Sequence, residues 1–269
     1  MKKADIGIAM GTGTEVTQEA AAMILTDDNF STIVKAIELG RGLYDNLTRY
    51  IRYQMAGLFG YIFAFLGASI FNIAGGIPLL PLQTLWVSFA MLSLQSVGLG
   101  YSKPAAGLMD RPPLPPSRPI LTRGLTAWLS FAALLMAAGT LGVVSWAEQA
   151  HGLAVARTMG MVTFALFLLF FSIESKDDQE SAFSLGTFSD KTFARTTAVS
   201  IVLLVLSTAL GIFHRVMNTV TLGVPQWLIC TAVALSVVVA AEIRKTARRR
   251  TAAKIVESAG VRPAGATAS

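Results

Sequence analysis

Residues 53–102 read YQMAGLFGYIFAFLGASIFNIAGGIPLLPLQTLWVSFAMLSLQSVGLGYS, and no charged residue occurs between Arg52 and Lys103. A run of this length holds two membrane spans of about 20 residues each. The stretch Asn72-Ile73-Ala74-Gly75-Gly76-Ile77-Pro78 divides it, because Asn, Gly and Pro supply the backbone conformations of tight turns. The predicted spans are 53–73 and 79–101. Further uncharged runs lie at 124–147, 158–173, 196–213 and 216–241. The run at 158–173 is short for a crossing and is expected to reach 155–175, with Arg157 and Glu174 snorkelling at its ends. The last two spans are placed at 196–214 and 223–243, which makes six.

Composition agrees with this. Only 14% of the 269 residues are charged, against about 25% in soluble domains, and the mean hydropathy is +0.58. The chain has one cysteine, Cys230, inside an apolar run. It forms no intrachain disulfide and reads as a buried structural thiol. The net charge of +6 does not point to nucleic acid. The basic segment with Arg244, Lys245, Arg248, Arg249 and Arg250 lacks interleaved aromatics. Met1-Lys2-Lys3-Ala4-Asp5 leads into a short Gly-rich stretch rather than an apolar signal core, so the internal spans are expected to drive insertion.

Lys and Arg set the orientation. With the N-terminal segment in the cytoplasm, all of the 22 Lys and Arg except Arg157 and Arg215 fall on the cytoplasmic side. Both termini are then cytoplasmic and the expected location is the plasma membrane. The loop at 102–123, with Pro112, Pro113, Pro115, Pro116 and Pro119, reads as a stiff cytoplasmic spacer. Residues 244–269 are expected to form a basic, disordered tail.

The first 45 residues are of another kind. Ile6-Gly7-Ile8-Ala9-Met10 and Met23-Ile24-Leu25-Thr26 suit short strands, Thr14 an N-cap for a helix over 15–22, and Asp27-Asp28-Asn29 a turn. From Phe30 an apolar pattern at helical spacing begins. So short an α/β segment cannot bury a core alone. The expected fold is therefore a mainly α-helical membrane protein, with 46–243 as six transmembrane helices preceded by a small α/β remnant.

Several motifs add to this reading. Lys2-Lys3-Ala4-Asp5-Ile6-Gly7-Ile8-Ala9-Met10-Gly11, Gly13-Thr14-Glu15-Val16, Leu25-Thr26-Asp27-Asp28-Asn29-Phe30, Gly40-Arg41, Tyr44-Asp45-Asn46, Ile51-Arg52-Tyr53, Leu85-Trp86-Val87 and Met109-Asp110-Arg111-Pro112-Pro113 resemble P-type cation-transporting ATPases, the calcium-pump branch in particular. Beyond about residue 120 the likeness lies in the number of spans and in Ala156-Arg157-Thr158-Met159. The resemblance implies that 1–45 ends a phosphorylation domain, that the helix from Phe30 runs on into the membrane, and that the spans match the family's fifth to tenth.

The family's Asp-Lys-Thr-Gly motif with the phosphorylated aspartate does not occur here, nor do its Gly-Asp-Gly-x-Asn-Asp and Thr-Gly-Glu motifs. Phosphoryl transfer needs a nucleophile, a metal and a nucleotide cradle in register. The chain alone is expected not to hydrolyse ATP. ATP and Mg2+ are implied only for a full-length parent, whose N-terminal ATPase domains would be the partner of this chain beside the lipid bilayer and the transported cation. Met1 stands where the family often has Leu, which suggests a start inside a longer frame.

Calcium pumps place Asn and Glu in the span corresponding to 53–73, and Asn, Thr and Asp in the next. The matching positions here are Leu58 and Tyr61, then Ser88, Met91 and Leu92. The carboxylates that Ca2+ favours are absent from them. The polar residues left as cation-path candidates are Ser88, Gln95 and Ser96, expected on one helical face, together with Gln54 and Glu174. Interhelical hydrogen bonding is the alternative role for the neutral ones, and an interfacial position the alternative for Glu174. His151 and His214 are expected to face solvent. Three functions remain: the transport part of an ATP-driven pump, a non-enzymatic membrane subunit or regulator, and the product of a truncated gene.

Overall fold

A computed structural model describes residues 4–102, 107–113, 115, 119–176 and 190–258, with side chains as far as 247. Lys2, Lys3, Lys103, Pro116, Asp177, Asp178 and the tail 259–269 lie outside the described residues. The chain divides into two units, one of residues 1–45 and 103–116 and one of 46–102 and 117–269.

The small unit holds strand β1 (Ile8–Met10), helix α1 (Glu15–Glu19) and strand β2 (Met23–Leu25), the strands paired in parallel with Ala9 opposite Ile24. Gly11 follows β1 because nothing larger fits: a Cβ there would lie 2.8 Å from Leu25 O. Gln18 ties the following turn down, donating from Nε2 to Gly11 O at 2.7 Å and to Gly13 O at 3.1 Å. The turn at 27–29 ends the strand pair. Asp27 accepts from Thr32 Oγ1 at 2.6 Å and from Asn29 N at 3.2 Å, and Asn29 Oδ1 accepts from Ser31 N. These bonds, the one from Thr32 first, hold the Asp27 carboxyl below the usual carboxylate range. Helix α2 (Phe30–Phe71) starts here. Its Arg41 donates to Leu108 O and Arg111 O, both at 2.8 Å, and its Asp45 pairs with Arg111 at 2.8 Å. The motifs around Arg41, Asp45 and Met109–Pro113 are thus one structural unit.

The larger unit is helical. Its elements are the rest of α2, α3 (Pro81–Val87), a π-helical turn (Ser88–Ser93), α4 (Leu94–Gly100), α5 (Arg123–His151), α6 (Leu153–Lys176), α7 (Lys191–Ala209), α8 (Gly211–Met217), α9 (Val224–Ala234) and α10 (Ser236–Ser258). Among the described residues six stretches are long and apolar enough to cross a membrane: Phe30–Phe71, Pro81–Gly100, Arg123–His151, Leu153–Lys176, Lys191–Ala209 and Val224–Ala247. Helix is the form such segments take, because lipid leaves backbone N–H and C=O groups no partner outside the chain. Helix α6 is the centre, with 72% of its apolar window buried against 28% for α2. Its Met159, Phe164, Phe167 and Leu168 are fully enclosed. Cys230 is also fully buried, with Sγ 3.6 Å from Met159 O.

Two helix ends differ from the expected boundaries. The fifth span was placed at 196–214, but α7 ends at Ala209 and Leu210 turns extended (φ −93, ψ 131). The carbonyls freed by this break find partners in the next segment. Thr219 Oγ1 donates to Ser207 O at 2.9 Å, and His214 Nε2 lies 3.0 Å from Thr208 O. His214 is therefore half-buried and engaged rather than solvent-facing. The last helix does not stop at 243 before a disordered tail; its backbone stays helical to Ser258. The charges that begin the basic segment have partners in the bundle. The Arg244 guanidinium stacks 4.1 Å over Trp128, and Lys245 Nζ pairs with Glu174 at 2.7 Å. The second span is not a uniform helix either, since the π turn interrupts it.

Small residues let the helices approach. A Cβ on Gly57 would lie 2.5 Å from Leu92 Cδ1, one on Gly67 2.7 Å from Leu141 Cδ1, and one on Gly160 2.5 Å from Val144 Cγ2. Leucine tips can swing aside, but Val144 is β-branched and fully buried, so it cannot. Gly160→Ala is expected to destabilise the purified protein by about 1–3 kcal/mol. Gly142→Ala, with nothing within 4 Å of the added carbon, is expected to leave stability unchanged. Heating in detergent with a thiol-reactive fluorophore reads both, because Cys230 reacts only on unfolding.

Candidate transport site

Of the positions singled out in the sequence, Tyr61, Ser88, Met91 and Leu92 lie at or beside the π turn. Tyr61 on α2 projects toward α3 and donates to Thr84 O at 3.3 Å. Ser88 donates to Thr84 O at 2.8 Å and lies 3.3 Å from the Tyr61 hydroxyl. Tyr61 also stacks on Phe164, ring centres 4.4 Å apart. Met91 is buried, Leu92 half-buried, and Leu58 is exposed on the outer face of α2. No carboxylate stands at any of these positions.

A π turn winds wider than an α-helix and disturbs the hydrogen-bond ladder. Its carbonyls here attract hydroxyls. Ser93 Oγ donates to Ser88 O at 3.1 Å, Ser200 Oγ to Ala90 O at 2.7 Å, Tyr53 OH to Met91 O at 3.3 Å, and Ser96 Oγ to Leu92 O. The donors come from α2, α7 and the second span itself. Four carbonyls at the middle of the second span thus each meet a hydroxyl.

The π turn also separates residues that a regular helix would align. Ser88 and Gln95 are seven residues apart, which on an α-helix puts them within about 20° of each other. The wider turn shifts the phase by about one residue, on the order of 100°. Ser88 accordingly faces Tyr61, whereas Gln95 points between α6 and α7. Gln95 is fully buried; its Oε1 accepts from Ser172 Oγ at 3.1 Å and Thr197 Oγ1 at 3.3 Å, and its Nε2 has no partner among the described residues. Ser96 is buried beside it. Gln54 stands apart, bonded to Tyr50 OH at 3.5 Å.

Glu174 is also apart from this group. It is 4% exposed and paired with Lys245, which is 3% exposed. Beside it Lys176 pairs with Asp190 at 3.8 Å and lies 4.6 Å over the Phe193 ring. These charges join the C-terminal end of α6 to the start of α7 and the middle of α10. Sequence reasoning missed Ser172, Thr197 and Ser200, because a lone hydroxyl in an apolar run carries no signal until its neighbours are known.

Gln95→Leu and Thr197→Val are each expected to lower stability by about 0.5–1.5 kcal/mol, the range of side-chain hydrogen bonds between membrane helices. The double variant is expected to lose less than the sum. Additive losses in the Cys230 unfolding assay would contradict the Gln95–Thr197 bond.

Comparison with known proteins places this geometry. Residues 76–247 match the family model described as the C-terminus of cation transporting ATPases. The chain is 34% identical over 252 residues to calcium-transporting ATPase 1 of Schizosaccharomyces pombe, covering 93% of this chain and 28% of that protein. It is 32% identical over 251 residues to human calcium-transporting ATPase type 2C member 1, covering 93% of this chain and 27% of that protein. A probable cation-transporting ATPase F of Mycobacterium bovis is 31% identical over 250 residues, covering 90% of this chain and 27% of that protein. The chain thus spans little more than a quarter of the length of these relatives. With six apolar helices in the order that the match requires, it belongs to the cation-transporting P-type ATPases and corresponds to their C-terminal membrane part.

Proposed function

We propose that this chain is the transmembrane transport part of an ATP-driven cation pump, of calcium-pump lineage, whose path is built from neutral oxygens. The observation that carries the reading is the set of hydroxyl–carbonyl pairs at the π turn. Where the family's Asn, Glu, Thr and Asp ligands would stand there are Leu58, Tyr61, Ser88, Met91 and Leu92, and the carbonyls of Ser88, Ala90, Met91 and Leu92 each meet a hydroxyl. Carbonyls and hydroxyls can replace part of a cation's hydration shell without offering it a negative charge. Such a path suits a monovalent cation better than Ca2+, which favours six to eight oxygens with carboxylates among them. Gln95, Ser172 and Thr197 continue the polar material below the π turn. Glu174, bonded to Lys245, has its charge balanced within the protein and contributes to packing rather than to binding.

Energy would come from elsewhere in the pump. On this reading ATP and Mg2+ act in the other domains of the pump, where the phosphoryl-transfer motifs would lie. Asp27 and Asp28 are engaged in their turn. The excess of Lys and Arg on one side puts both termini in the cytoplasm, with the plasma membrane as the expected site.

Two measurements test the reading. The purified chain is expected to show no ATP hydrolysis and no acyl-phosphate. The whole pump containing this chain, in membrane vesicles, is expected to show ATPase activity stimulated by a monovalent cation, and Tyr61→Phe with Ser88→Ala is expected to weaken that stimulation. Stimulation by Ca2+ alone, unaffected by these substitutions, would overturn the neutral path.

A further inference from the structure

The segment Ala156-Arg157-Thr158-Met159 is not explained by the transport site. It opens α6 at the end of the bundle where α2 turns into α3, α5 into α6, and α8 into α9. That turn between α2 and α3 is unusual. Asn72 (φ 51) and Ala74 (φ 54) are left-handed without being glycine, and Gly75 and Gly76 follow at φ 66 and 80. Left-handed backbone is unfavourable for residues with a Cβ, so something must hold it.

Two side chains of the α5–α6 hairpin do. Glu148 Oε2 accepts from Ala74 N at 3.0 Å. Arg157 donates from Nη2 to Ala74 O at 3.3 Å and from Nε to Ile77 O at 3.1 Å. Both polar groups of Ala74 are therefore met by charged side chains, and Ala74 is 2% exposed. The next residue holds a different loop: Thr158 Oγ1, fully buried, accepts from Val220 N at 3.2 Å while donating to Ala154 O at 2.9 Å. At the same end Gln83 Nε2 donates to Met217 O at 3.0 Å. Ala156 and Met159 pack into the core.

We propose that Arg157 and Thr158 form a two-sided latch that closes this end of the membrane domain. Arg157 is the positioning residue for the 72–78 turn, and Thr158 for the 218–223 loop. The 72–78 turn fixes the separation of α2 and α3, the helices that carry Tyr61 and Ser88. On this account the 72–78 turn loosens only when the Glu148 bond to Ala74 and the Arg157 bonds to Ala74 and Ile77 break. An arginine at the end of the bundle that is otherwise poor in Lys and Arg has a structural reason on this account: a planar fork with several donors reaches two carbonyls at once. The latch belongs to the membrane domain and does not depend on which cation is carried.

Amide hydrogen exchange read by mass spectrometry on the purified chain tests it, with Cys230 labelling run in parallel as the measure of global unfolding. Arg157→Gln is expected to speed exchange across 73–79 on the order of tenfold, the scale of a lost charge-assisted bond, while 218–223 stays as before. Thr158→Val is expected to do the reverse. Arg157→Lys, which keeps the charge but not the fork, is expected to restore only part of the protection. If Arg157→Gln leaves 73–79 unchanged, or if either variant loosens both loops together with Cys230, the latch is wrong and the segment is ordinary core.

Discussion

Inside a membrane a polar group has no water to fall back on, and the arrangement of this protein follows from that constraint. Breaks in helical regularity occur where another part of the chain supplies partners. At Leu210 the carbonyls of Ser207 and Thr208 are met by Thr219 and His214. At the turn between α2 and α3 the two polar groups of Ala74 are met by Glu148 and Arg157. At the π turn, hydroxyls from α2, α7 and the second span itself meet the carbonyls. Buried charges obey the same rule, with Glu174 bonded to Lys245.

Helix α6 is where these partners converge. It packs between the other helices through fully enclosed Met159, Phe164, Phe167 and Leu168. Its N-terminal part reaches the loops at one end through Arg157 and Thr158, and its C-terminal part places Ser172 on Gln95 and Glu174 beside Lys245. A helix that is apolar nearly all round, with its polar contacts concentrated toward its ends, suits the centre of a membrane bundle.

Much of this was legible in the residues. Six uncharged runs separated by turns or charges marked the spans, because lipid tolerates little else. The motifs at Arg41, Asp45 and Met109–Pro113 indicated the family before their mutual bonds were visible. The candidate site was less legible. Nothing in Ser-Phe-Ala-Met-Leu-Ser distinguishes a π turn from an α-helix, so Ser88, Gln95 and Ser96 read as one face when the wider turn sends Gln95 toward α6 and α7. The end of the last helix was hidden for a similar reason. Arg244 and Lys245 look like the start of a solvated tail until Trp128 and Glu174, far off in sequence, are seen beside them.

The proposed reading is that this membrane domain of a cation-transporting ATPase offers neutral oxygens where calcium pumps offer a charged site. Equilibrium binding of radioactive calcium to the whole pump, in membranes and without nucleotide, tests that claim most directly. The account predicts no stoichiometric, saturable calcium binding, whereas one or more tightly bound calcium ions per pump would contradict it.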